Sequence, residues 1–238
     1  RNIVRTHPSG LWDGIQQMLN QQETLTEVSL GGQTINGSAQ FFYALIAMTC
    51  LYGCFIGFGS AITLQANLTA LAARRCVTPT HKLKLILSEQ IASFLLGYFD
   101  VIVLLIYLRY ILKLDFQGKI GPMLLISFFG SLIGVSIGIF VGSLGKMKEG
   151  GKIGIILGFS MVCSFLSGLM NNTMKDLVEK NMPVINRINP AALISDAFYC
   201  INVYNDPARY YRNVLTLAVM SAALVFASFL LIRRNRYD

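Results

Sequence analysis

The sequence is poor in charge and in the residues that enzymes and metal sites use. Only 13% of its 238 residues are charged, about half of the roughly 25% typical of soluble domains. Its two histidines, His7 and His81, and five cysteines without a C-x-x-C pair fit neither the common zinc patterns nor a disulfide framework. It also lacks the G-x-x-x-x-G-K-[ST] sequence that binds the phosphates of ATP. We therefore expect no catalytic, cofactor-binding or metal-ligating residues on this chain.

The sequence contains long apolar runs that soluble proteins seldom have. Hydrophobic residues make up 54% of the chain, and five runs approach the ~20 residues that a helix needs to span a bilayer. The short alternating segments of a membrane β-barrel are absent from the sequence. The sequence therefore predicts an all-α membrane protein, a bundle of five transmembrane helices. The predicted spans are residues 41–63, 91–108, 121–144, 153–170 and 214–232.

The basic residues are distributed unevenly between two sets of loops. Residues 64–90, 145–152 and 233–238 together hold ten Lys or Arg and three Asp or Glu, whereas residues 1–40, 113–119 and 171–209 hold eight of each. Because Lys and Arg are enriched in cytoplasmic loops, the first set is predicted to lie in the cytoplasm. We therefore expect a multi-pass protein of the plasma membrane. Residues 1–40 would be the end of an extracytoplasmic segment, and the C-terminus would be cytoplasmic.

The chain starts with Arg1, and no signal peptide precedes the residues predicted to lie outside. We therefore expect a further transmembrane helix upstream, which would give six helices in the intact protein.

Four glycines, Gly130, Gly134, Gly138 and Gly142, recur every four residues along the third predicted span. Residues at this spacing lie on one face of a helix, and small residues there let helix backbones approach closely in lipid. The pattern predicts tight helix packing but leaves open whether the neighbour belongs to the same chain or to a second copy. Two glycine pairs, Gly53/Gly57 and Gly154/Gly158, repeat the same spacing in the first and fourth predicted spans.

Asp100 is the one acidic residue inside a predicted span, and a carboxylate there is costly. At 100° per residue it shares a helix face with Ser93 and Tyr107, which we expect to be buried. Two interpretations remain. The group is a polar site on a translocation pathway or at a conformational hydrogen bond, or it is a carboxyl that is hydrogen-bonded within the bundle for folding alone.

A basic stretch between the first two spans is predicted to form a cytoplasmic elbow over residues 66–88. Thr78 is a suitable N-cap and Pro79 suits the first helical position, so the stretch is predicted to be a helix, a break and a second helix. Its charge alone is explained by cytoplasmic anchoring, whereas the capped break is not. The elbow residues of interest are Leu71, Arg74, Arg75, Val77, Thr78, Pro79, His81 and Lys82.

An outer segment, residues 182–205, is too polar for a span and too apolar for a plain loop. Asn189 before Pro190 favours a turn, after which a short helix is predicted. Two interpretations are open. The segment is re-entrant and dips into the outer leaflet under a cover of protein, or it is a surface helix anchored by Tyr199 and Tyr204.

Three stretches together resemble a known family. "LTALAARRCVTPTHKLKLILSEQIASFLLGYFDVIVLL" resembles the cytoplasmic elbow and following helix of type-2 ATP-binding-cassette (ABC) transporter permeases. "INPAALISDAFYCINVYND" is similar to the outer segment before their last helix, and "RRNRYD" to their basic cytoplasmic tail. The resemblance covers residues 41–238 and includes the glycine-rich third span.

The resemblance implies a permease subunit that forms the translocation pathway of an ATP-driven exporter. It further implies an ABC ATPase on a separate chain, which would bind ATP and magnesium and dock on the elbow, and a second permease copy or a paralogue. The partners are then other proteins and the lipid bilayer, not nucleic acid. The alternative is a non-ABC assembly or channel-like subunit whose glycine-zipper helices serve association.

Overall fold

The computed structural model describes residues 37–62, 82–114, 116, 120–144, 147–170, 172–204 and 206–234. Within them the regular structure is helical, without a strand, which confirms the all-α prediction. The helices are α1 (Gly37–Ile62), α2 (Lys82–Tyr110), α3 (Ile120–Gly142), α4 (Glu149–Leu166), α5 (Asn172–Asn181), α6 (Pro183–Ile188), α7 (Pro190–Tyr199) and α8 (Pro207–Arg234). A π-helical turn, Cys200–Tyr204, follows α7.

Five of these helices are long and apolar enough to cross a bilayer, as predicted. The candidate spans are Gln40–Ile62, Leu87–Tyr110, Ile120–Gly142, Glu149–Leu166 and Pro207–Leu231. Two helices begin well before their predicted spans, α2 at Lys82 and α8 at Pro207. Helices extend into polar flanks because backbone hydrogen bonds continue after the apolar run ends, so hydropathy alone underestimates their length.

The bundle is built around α3, which contacts α1 most extensively and also packs on α2, α4, α7 and α8. Most of α3 and more than half of the α1 span are buried, whereas α2, α4 and α8 leave most of their spans exposed. Ile126, Ile133 and Ile139 of α3 are completely or almost completely shielded. This arrangement makes α3 the central helix.

A lysine joins the end of α3 to the start of α4. Lys152 is 1% exposed, and its Nζ donates to the carbonyl oxygen of Gly142 at 2.7 Å. Gly142 is the last residue of α3, where unpaired carbonyls concentrate negative potential. The ammonium group therefore caps α3 and holds the start of α4 against its end.

Candidate functional site

The four glycines of α3 lie against α1 of the same chain, and we call this contact the glycine seam. A Cβ atom added at Gly134 would overlap the carbonyl oxygen of Cys50, and one added at Gly138 would overlap that of Cys54. A Cβ at Gly130 would lie 3.0 Å from the Cys50 Sγ. The backbones of α1 and α3 therefore touch at Gly134 and Gly138, about one turn apart. The neighbour that the sequence left open is the same chain.

The seam is continued by glycines of α1 and by Ala61. A Cβ at Gly57 would overlap the carbonyl oxygen of Val135, and one at Gly142 would overlap the Ala61 Cβ. By contrast, Gly154 and Gly158 of α4 have nothing within 4 Å of an added Cβ. Identical sequence spacing thus marks a close backbone contact in α3 and open space beside α4.

Serine and glutamine side chains connect α2 to α1 and α3. The hydroxyls of Ser60 and Ser93 are hydrogen-bonded. Gln90 Nε2 donates to Ser136 Oγ at 3.1 Å, and the Ser136 hydroxyl donates to the Leu132 carbonyl at 2.7 Å. Hydrogen bonds between helices stabilise packing in lipid, where water offers no alternative partner.

The expectation that Ser93, Asp100 and Tyr107 share one buried face was wrong for this chain. Ser93 is 2% exposed, but Asp100 is exposed and Tyr107 is 45% exposed. α1 covers Ser93 through Ser60, and this cover does not extend along α2 to Asp100. Helical periodicity identifies a common face but does not indicate how far a neighbouring helix covers it. A role of Asp100 in transport stays a prediction.

The outer segment is packed inside the bundle along α7. Every residue of α7 is buried, and the helix contacts α1, α3, α4 and α8. Tyr199 is 5% exposed, and its hydroxyl donates to Gln40 Oε1 at 3.1 Å, whereas Tyr204 is 46% exposed. This burial agrees with a segment covered by protein, because a surface helix anchored by both tyrosines would leave Tyr199 accessible.

Asn189 fixes the start of α7. Its Oδ1 accepts a hydrogen bond from the Ala191 backbone N–H at 3.0 Å, which caps the helix, while Pro190 supplies the first helical position. Its Nδ2 donates to the carbonyl of Cys163 on α4 at 2.9 Å. One side chain therefore both begins α7 and attaches it to α4.

A buried ion cluster joins α5, α7 and α8. Asp196 of α7 accepts two hydrogen bonds of 2.8 Å from the guanidinium of Arg209 and one of 2.8 Å from Asn213 Nδ2. Lys175 Nζ lies 3.4 Å from Asp196 Oδ1 and 4.8 Å from the centre of the Tyr199 ring. We call Lys175, Asp196, Arg209 and Asn213 the outer cluster.

The outer cluster keeps the Asp196 carboxylate ionised. Burial alone would raise the pKa of Asp196, but the charges of Lys175 and Arg209 and the hydrogen bonds from Asn213 and Arg209 outweigh it and lower the pKa below its usual value. In the sequence, Asp196 is one of several polar residues in the outer segment. Its partners lie on two other elements, so no local spacing indicates the cluster. The sequence feature that could have indicated the cluster was an acidic residue in a short helix made mostly of apolar residues.

An apolar cavity of about 710 Å³ lies between α3, α4, α6 and α8. Its walls are almost entirely hydrocarbon, and the amide of Asn189, the polar side chain in its lining, is already occupied by Ala191 and Cys163. The volume is within the range of small-molecule sites, about 300–1,000 Å³. Its lining includes Phe140 of α3, Phe159 of α4, Ile188 of α6 and Ala223 of α8. Such a cavity can accept an apolar group but offers no partner for a charge.

The predicted elbow lies mostly outside the described residues. Leu71, Arg74, Arg75, Val77, Thr78, Pro79 and His81 fall within residues 63–81. Lys82 is the first residue of α2, and nothing of its side chain is described. The coupling role of these residues stays a prediction.

Among the residues that the structure describes, no group of three or more His, Cys, Asp or Glu side chains could hold a metal ion. Residues 12–230 match a family described as ABC-2 family transporter protein. No curated protein and no solved structure matches.

Proposed function

The chain belongs to the ABC-2 family of transporter proteins and is a membrane subunit of an ABC transporter, and we propose that it is the permease of an ATP-driven exporter. In this proposal a separate ABC ATPase binds ATP and magnesium and docks on the cytoplasmic elbow. Two permease chains, identical or paralogous, form the translocation pathway in the plasma membrane. Residues 1–40 lie outside and the C-terminus lies in the cytoplasm.

The observation that carries this proposal is the extent of the family match, which includes the elbow, all five spans and the outer segment. The match explains why a chain without an ATP-binding sequence carries a basic stretch with a Thr-Pro pair between its first two spans. A permease needs a contact surface for its ATPase, whereas cytoplasmic anchoring needs only charge.

Helix α1 provides a physical connection from the elbow to the outer segment. Its last described residue, Ile62, lies four positions before the start of the predicted elbow, residues 66–88. At its other end Tyr43 stacks on Phe198 of α7 with ring centroids 5.9 Å apart, and Gln40 accepts from Tyr199. Because the glycine seam joins the backbones of α1 and α3, a displacement at the elbow would move α1 and α3 together and act on α7.

The apolar cavity supports an apolar or amphipathic cargo for this exporter. Its hydrocarbon walls and its volume of about 710 Å³ suit an uncharged chain or ring system. A small ion would find no liganding group there. The proposal places the apolar part of the cargo between α4 and α8 during transport.

The alternative of a non-ABC assembly subunit loses its main support. It was based on glycine-zipper helices that associate with other chains, but the glycine seam is satisfied by α1 within this chain. The family assignment explains the same glycines as internal packing of a permease.

Co-purification of the ATPase with elbow variants tests the proposal. Val77→Asp combined with Pro79→Gly should abolish association, because a shape change at a packed contact can remove most of the binding energy. Arg74→Ala is the matched control and should weaken association only slightly, since a charge at the rim contributes little. Membrane insertion should be equal in all three chains. Undiminished association of the double variant would contradict the coupling role.

A further inference from the structure

Asp100 lies exposed in the middle of a membrane span. It belongs to α2, whose apolar span is Leu87–Tyr110, and about 15 Å of helix separates it from the Tyr110 end. Within the described residues, no hydrogen bond or ion pair engages its carboxylate. Acidic residues at this depth almost always face a protein interior or a water-filled cavity, with a partner. The aspartate side chain is too short to reach either membrane surface. The described residues therefore provide neither a partner nor bulk water for this carboxylate.

The carboxylate lies at one edge of an exposed face of α2, next to the buried position of Ser93. Leu96, Phe99, Asp100, Val103 and Tyr107 lie within about 100° of arc on α2, and we call them the Asp100 face. The four apolar or aromatic members are 45–63% exposed. This face therefore presents one acidic group beside large apolar side chains, and a helix that covers it would have to supply a partner for the carboxylate.

A second copy of this chain does not supply the missing charge from its described spans. Each basic residue there lies near one end of its span: Arg109, Lys152, Arg209 and Arg212. Lys152 is already bound to Gly142 and Arg209 to Asp196. A symmetric contact through the Asp100 face would place carboxylate against carboxylate, because twofold interfaces bring identical patches together.

We propose that the Asp100 face binds one transmembrane helix of a different membrane protein, which carries a Lys or Arg near the centre of the bilayer. The basic side chain forms an ion pair with Asp100, and the surrounding aromatic and aliphatic groups pack against the partner helix. The interaction is independent of the elbow and of ATPase coupling, and it gives the transporter a membrane-embedded accessory subunit.

Photo-cross-linking of the full chain in its native membrane tests this interface. A photoreactive amino acid replaces Val103, and a second chain carries it at Leu215 of α8, which is 65% exposed on another helix. The Val103 probe should give one protein adduct, and peptide mapping should locate the cross-link in a helix with a Lys or Arg at matching depth. The Leu215 control should react with lipid alone.

Charge variants then test the ion pair. Asp100→Asn should lower the yield of the Val103 adduct about tenfold, as expected for loss of one hydrogen-bonded pair between helices in lipid, while Asp100→Glu should retain most of it. Asp100→Lys should abolish the adduct, and replacing the mapped basic residue of the partner with Asp should restore it. Equal size-exclusion profiles of the variants verify folding.

The proposal is overturned by several results. These are an adduct with lipid alone, a cross-link within the chain or to a second copy of it, a mapped helix without a basic residue, or an Asp100→Asn yield equal to that of the unmodified chain.

Discussion

Adding a single methyl group to the glycine seam tests whether the contact between α1 and α3 determines the stability of the bundle. In Gly138→Ala the new Cβ would overlap the carbonyl oxygen of Cys54 and lie 2.7 and 2.8 Å from its carbonyl carbon and Cα. Carbon atoms pack best at about 3.5–4.0 Å, so the helices must separate by roughly 1 Å. The obstacle is backbone on both sides, and no side-chain rotation can relieve it.

The expected magnitude follows from two opposing effects. Overpacking of a well-packed core costs about 1–3 kcal/mol, while Ala exceeds Gly in helix propensity by up to about 1 kcal/mol. We expect a net loss of about 1–2 kcal/mol in the free energy of unfolding, which for a chain of this length lowers the Tm by about 2–8 °C.

Two matched variants separate the clash from other effects of the same substitution. Gly158→Ala makes the identical change on α4, where an added Cβ meets nothing within 4 Å, and should leave the Tm unchanged or slightly raised. Gly53→Ala lies on the seam, but its nearest neighbour is the Val135 Cγ2 at 3.5 Å, so it should be tolerated. Thermal unfolding of the purified proteins in detergent, followed by circular dichroism, provides the measurement. A Gly138→Ala protein as stable as Gly158→Ala would refute the seam.

Two further substitutions probe the outer cluster and the cavity. Asp196→Asn should lower the unfolding free energy by about 1–3 kcal/mol at pH 7, less than the 3–5 of a fully buried pair because the Arg209 side chain is 39% exposed. Since the folded pKa of Asp196 is depressed, this difference in unfolding free energy should be complete at neutral pH and should disappear only as the pH falls below about 4. Denaturant titrations at pH 7 and pH 3 measure the difference. An equal difference at both pH values would contradict a carboxylate stabilised by the outer cluster. Ala223→Trp should obstruct the cavity and lower transport in vesicles while ATPase association stays intact. Ala222→Trp is the control, because it lies one position away and outside the cavity lining, and it should leave transport unchanged. Equal transport by both variants would exclude the cavity from the pathway.

The spans and the glycine seam were accessible from the sequence because both depend on local periodicity. A bilayer imposes a length and a composition on each helix, and glycines four residues apart lie on one face of that helix. The pattern does not reveal the neighbour. Gly134 and Gly158 look alike in the sequence, yet one touches the backbone at Cys50 and the other meets open space.

The outer cluster and the exposure of Asp100 could not be predicted because they depend on tertiary placement. Lys175, Asp196 and Arg209 come from three elements and meet only after α7 is packed into the bundle. Asp100 and Ser93 share a helix face, but only Ser93 lies where Ser60 of α1 reaches it. Burial was inferred from the cost of an unpaired carboxylate, and that cost applies to the complete assembly, of which this chain is one part.

The orientation of the chain in the membrane gives the last prediction, and the structure determines how it must be measured. Cys200 is expected outside, but it is 1% exposed, and burial together with the charge of Asp196 raises its pKa to about 12. A buried thiol with little thiolate reacts slowly with any reagent, so its labelling would not report the side of the membrane. Cys50, Cys54 and Cys163 are buried as well.

Methionines at opposite ends of the bundle are better sites. Met170, after α4, is 78% exposed, and Met147, before α4, is 42% exposed. With Cys76 replaced by Ser, an impermeant maleimide applied to intact cells should label Met170→Cys and leave Met147→Cys unlabelled, and both should react after permeabilisation. This expectation follows from the excess of ten basic over three acidic residues in the loops on the Met147 side, against eight of each on the other. Labelling of Met147→Cys alone in intact cells would invert the topology and place the elbow out of reach of any cytoplasmic ATPase.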